Sequence, residues 1–99
     1  MKTHIFIFVG NAMTGKSILG SYLDKNDVCV IDDVTTFPLS PTSNIIRFFE
    51  VVRGVKINQY KAVIFITNSE NAAWHLRNRF VLLDYDVSVV TFVRGENYV

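Results

Sequence analysis

Apolar runs and helix-spaced apolar residues alternate along this chain. Ile5-Phe6-Ile7-Phe8-Val9 is apolar without alternation, which predicts a strand covered on both faces over about His4 to Val9. Ile18, Leu19, Tyr22 and Leu23 then give one apolar helix face, predicting a helix from Gly15 or Lys16 to about Leu23. A polar turn, Asp24 to Asp27, leads to a second buried strand, Val28-Cys29-Val30-Ile31. Ser40-Pro41 reads as an N-cap with proline at the first helical position, Ile45, Phe48, Phe49 and Val52 as the face of that helix, and Gly54 as its end. Val55-Lys56-Ile57 reads as a short strand. Ala62 to Thr67 is a third buried strand, and Asn71 is placed to cap a helix running to about Arg79. Val81-Leu82-Leu83 and Val87 to Val93 read as the last strands, joined by a turn at Asp84-Tyr85-Asp86. Strands separated by helices predict an α/β fold: a mostly parallel sheet of four to five strands flanked by helices in three layers.

Composition narrows this picture. With 99 residues the chain is expected to form a single minimal domain over 1–99. An apolar content of 49% suits a buried parallel sheet and leaves room for an apolar surface between copies. The net charge of +1 advertises no strong field for nucleic acid. A single cysteine, Cys29, excludes an internal disulfide; it reads as an inert core thiol in a reducing, intracellular setting. The first apolar run is too short for a secretory leader, and no segment approaches a membrane span.

The chemistry enters between the first strand and its helix. Gly10-Asn11-Ala12-Met13-Thr14-Gly15-Lys16-Ser17 fits G-x-x-x-x-G-K-[ST], the phosphate-cradling P-loop, at every defined position. By chance, a match in a chain this short has a probability of very roughly 0.5% at average residue usage. Gly10 and Gly15 are expected to adopt φ values other residues resist, so that loop N–H groups converge on an anion. The following helix adds free N–H groups and the positive end of its dipole. Lys16 is placed to reach the β- and γ-phosphates, and Ser17 to offer Mg²⁺ a hard oxygen.

Other candidates fall at strand ends, where open α/β sheets bind their ligands. Asp32 and Asp33 close the second strand, one suited to hold Mg²⁺ through water and the next to polarise an attacking water. Asn68 closes the third and offers a neutral amide to orient water. Arg77 and Arg79 either solvate a helix end or supply an arginine finger to a neighbour's γ-phosphate. Lys56 and Lys61 flank the segment read as a hairpin and, with Arg53, form a basic cluster open to nucleic acid or simply solvated. Trp74 and His75 read as packing and surface residues.

The order GNAMTGKS, VCVIDDV, VIFITNS, LRNRF resembles superfamily 3 helicases, viral AAA+-related ATPases, in a minimal form. The resemblance implies a P-loop NTPase core using ATP, or another NTP, with Mg²⁺. It implies Lys16 and Ser17 as phosphate and metal ligands, Asp32 and Asp33 as the metal-binding and water-activating pair, Asn68 as a polar sensor and Arg79 as the finger. It implies a homo-oligomeric ring, with single-stranded nucleic acid met by a hairpin that falls at Val55 to Lys61, and so by Lys56. A small nucleotide or metabolite kinase, or a non-hydrolysing nucleotide-binding adaptor, remains open beside this reading.

Overall fold

Four strands form one all-parallel sheet in the order β2-β3-β1-β4, seen in a computed structural model that describes residues 2–11, 15–25, 27–32, 34 and 44–92. In chain order the elements are β1 (His4–Gly10), α1 (Lys16–Leu23), β2 (Val28–Ile31), α2 (Ile45–Phe48), β3 (Ala62–Thr67), α3 (Glu70–Leu82) and β4 (Val87–Phe92). α2 continues as a π-helical segment, Phe49–Arg53, and a 3₁₀ turn, Ile57–Gln59, precedes β3.

The central strands β1 and β3 are covered on both faces, which is why they are apolar without alternation. On one face Ile5, Ile7 and Val9 of β1 join Val63 and Phe65 of β3, with Ile45 and Phe49 above them from the α2 segment and Leu76 and Phe80 from α3. The aromatic rings chain through this core: Phe49 to Phe65 at 4.8 Å and Phe65 to Phe80 at 5.5 Å. The other face carries Phe8, Ile64 and Ile66 with Val30 and Phe92. There α1 lies close to the sheet at Gly20, where an added Cβ would overlap Ile66 and crowd Val30.

Several expected elements move. Val55-Lys56-Ile57 is not a strand: Ile57 is fully buried and opens the 3₁₀ turn, whose carbonyl groups at Ile57 and Tyr60 accept the hydroxyl of buried Thr3. The hairpin expected over Val55 to Lys61 is therefore absent. Val81-Leu82-Leu83 is not a strand either, because α3 runs on to Leu82 with Phe80 anchoring it in the core. Its cap is Ser69, whose Oγ accepts from the Ala72 N–H at 3.2 Å, rather than Asn71. The Ser40-Pro41 start lies outside the described residues. Asn44 caps α2 instead, its Oδ1 accepting from the Ile46 and Arg47 N–H groups. Gly54 does end the π segment, at φ 70°. Among the described residues the sheet has four strands, the lower of the expected numbers.

Candidate functional site

All four strands are parallel, so their carboxyl ends share one edge of the sheet. Gly10 ends β1 there and Asn11 follows it, Asp32 follows β2 and Asn68 follows β3. β3 lies between β1 and β2, and neighbouring strands sit about 4.8 Å apart. Asn68 is thus one strand over from the glycine loop, and Asp32 two, a lateral offset of about 10 Å. Asn11, Asp32 and Asn68 are exposed.

The loop's two glycines serve different ends. Gly15 sits at φ 86° as the N-cap of α1, a left-handed conformation that costs a residue with a Cβ about 1–2 kcal/mol. Gly10 is not left-handed, contrary to expectation. Its constraint is space, since a Cβ would overlap the Phe92 carbonyl oxygen of β4. Gly15 gives α1 no side-chain cap, and no acidic residue stands in its first turn to oppose an anion at that helix end.

Lys16 is only 4% exposed, and its Nζ donates to the Asn11 carbonyl oxygen at 2.6 Å. The ammonium is therefore held within the loop. Ala12, Met13, Thr14, Asp33 and the Ser17 side chain lie outside the described residues. Among the described residues no group of three His, Cys, Asp or Glu side chains is placed to hold a metal ion. That donor set still fits Mg²⁺ in one particular way. Mg²⁺ is commonly bound by one or two carboxylates with waters and substrate phosphates, not by an all-protein cage, and Asp32 places one carboxylate residue at the strand-end edge.

The remaining candidates lie elsewhere. Arg79 is nine residues into α3, about 13 Å along its axis from the strand-end edge. Lys61 precedes β3, at the opposite edge of the sheet, and forms a 3.6 Å ion pair with Asp27. Lys56 directly precedes the 3₁₀ turn and is exposed. Neither lysine joins the strand-end group.

One feature of that edge was missed in the sequence. A cleft of about 280 Å³ opens between α3 and the ends of β1 and β4. Trp74, 58% exposed, and Arg77 form one wall, the guanidinium carbon 5.3 Å from the indole centroid. An unburied tryptophan three residues before an arginine on a helix was the available signal.

Compared with known proteins, the chain matches no family model, no curated sequence and no solved structure. No described helix is long and apolar enough to cross a membrane.

Proposed function

We propose that the chain binds a nucleoside triphosphate with Mg²⁺ at the 10–17 loop and hydrolyses it within an assembly of its own copies. The observation that carries this reading is Lys16: a buried ammonium held on the Asn11 carbonyl, at the start of α1, whose N-cap is the left-handed Gly15. In the P-loop reading, the α1 N–H groups and the Lys16 ammonium would hold the phosphate oxygens, and Asp32 and the Ser17 hydroxyl would hold Mg²⁺, which would neutralise phosphate charge. Asn68, between loop and acid strand, orients water against the terminal phosphate. Asp33 polarises that water. The order of these groups resembles superfamily 3 helicases, which supports an ATPase of viral or mobile-element replication, with Arg79 acting across a subunit boundary. Contact with single-stranded nucleic acid through Lys56 and Lys61 belongs to the same proposal, though from an edge remote from the loop.

Arg79 also favours a second reading. Its distance from the loop of its own chain suits a protein that binds nucleotide without turnover while monomeric.

Thermal melting tests the core of the proposal. Mg-ATP at about 100 times Kd adds about 2.7 kcal/mol of stability, which in a domain near 100 residues raises Tm by roughly 10–20 °C. Lys16→Ala removes the shift. A wild-type protein whose Tm stays put under saturating Mg-ATP has no phosphate site at this loop.

A further inference from the structure

A second feature, the cleft, is built into the same edge as the loop. Val9 pairs with Thr91 and Gly10 with Phe92 as the last rungs of the β1–β4 ladder. Val9 and Thr91 line the cleft, so it ends one residue short of the first glycine of the loop. Its floor is apolar, from Val9, Ala73 and Val89. Trp74 and Arg77 supply one wall, the guanidinium lying over the indole ring, and Glu70 and Thr91 the polar groups.

From this geometry we infer that the cleft holds the base of the bound nucleotide. The inference rests on the phosphate-loop reading. Three properties select a base as the occupant. The cleft of roughly 280 Å³ sits at the small end of ligand pockets and has room for one ring system. Glu70 puts a carboxylate on the lining, which accepts hydrogen bonds from an exocyclic amino group. Indole and guanidinium planes are the surfaces on which bases stack. The class selected is an amino-bearing base, adenine or guanine before uracil. The cleft opens on the α3 face of the sheet and α1 lies on the other, so a nucleotide with its base in the cleft crosses the strand-end edge at Gly10 to bring its triphosphate to Lys16 and the start of α1.

Trp74 is the only tryptophan, so all tryptophan emission comes from the cleft wall. Mg-ATP, Mg-tripolyphosphate, adenosine and a single-stranded oligonucleotide are each titrated while melting reports loop occupancy. The expected result is that ATP and tripolyphosphate both raise Tm, while ATP and adenosine change Trp74 emission and tripolyphosphate does not. Trp74→Ala, at an exposed position that the core does not need, weakens Mg-ATP about tenfold and leaves tripolyphosphate binding unchanged. If ATP and tripolyphosphate stabilise alike and neither moves the emission, the inference is overturned while the loop reading stands. If neither raises Tm, the loop reading fails and the inference falls with it. Quenching by the oligonucleotide that ATP cannot displace overturns it too, assigning the cleft to nucleic acid.

Discussion

Lys16 Nζ donates to the Asn11 carbonyl oxygen at 2.6 Å, so the first residue of α1 is tied back to the chain just past β1. A hydrogen bond to a charged group contributes about 1.5–3 kcal/mol, but burying the ammonium costs part of that back. Lys16→Met keeps the aliphatic stem and removes both effects. The expected outcome is a loss of less than about 2 kcal/mol of stability in urea without ligand, together with complete loss of stabilisation by Mg-ATP. A larger loss in the unligated protein would make Lys16 a structural residue first.

Gly10 and Gly15 separate two reasons for glycine in one loop. Gly10→Ala drives a Cβ into the Phe92 carbonyl, a backbone atom of a neighbouring strand that cannot rotate aside. Overpacking of this kind costs about 1–3 kcal/mol. Gly15→Ala meets no neighbour but must hold φ 86°, costing about 1–2 kcal/mol. The distinguishing measurement is amide exchange of β4. Gly10→Ala loosens the β1–β4 ladder and speeds exchange there, and Gly15→Ala leaves it as in the wild type.

β1, β2 and β3 were legible because unbroken apolar runs of strand length have few other uses beside polar turns. Short apolar runs were not. Val81-Leu82-Leu83 suits a strand or a helix end equally, and the decision was made by Phe80, whose burial under Phe65 keeps α3 winding past it. Ile57 was decided by Thr3, 54 residues away, whose hydroxyl bonds its carbonyl. The loop and the strand-end positions of Asp32 and Asn68 were readable from local order alone. The cleft was not, because it depends on β4 lying beside β1, a pairing that no local spacing specifies.

Caps give a further check on α3. The Ser69 Oγ satisfies the Ala72 N–H, and Ser69→Ala is expected to cost about 1 kcal/mol. Asn71→Ala, at the position first read as the cap, is expected to stay within about 0.5 kcal/mol, as surface substitutions usually do. Urea unfolding of the two variants side by side settles which residue starts the helix.

Alkaline pH acts through Cys29 and Tyr85. Burial, then the negative Asp24, pushes the Cys29 thiol above its ordinary value, with a hydrogen bond to Tyr60 partly opposing. Tyr85 is likewise raised, chiefly by burial, against the opposing hydrogen bond to Asn58. For both groups the folded state favours the protonated form. Their contribution to stability is complete below the unfolded-state values and is lost as pH rises through the folded ones. Stability is therefore expected to decline on the alkaline side of the ordinary thiol value of 9.0. In Cys29→Ala the earlier part of that decline flattens, measured as the urea midpoint against pH, and alkylation of native Cys29 runs slower than in the unfolded chain at the same pH.

Arg79 provides the test of assembly. Nine residues along α3, about 13 Å from the strand-end edge, it is poorly placed to serve the loop of its own chain. If it acts on a neighbour's phosphate, Arg79→Ala binds Mg-ATP normally and loses about 10³–10⁵ in turnover. Wild-type turnover per chain rises with protein concentration as copies assemble. The decisive experiment mixes two inactive variants. Lys16→Ala cannot bind nucleotide but carries Arg79, and Arg79→Ala binds nucleotide but lacks the finger. In a head-to-tail assembly of an equal mixture, about a quarter of the sites pair an intact loop with an intact neighbouring arginine, and activity returns to about that fraction of wild type. If the mixture stays as inactive as its components while the two variants co-assemble, Arg79 has no role across a boundary, and the non-hydrolysing reading of the monomer gains the ground.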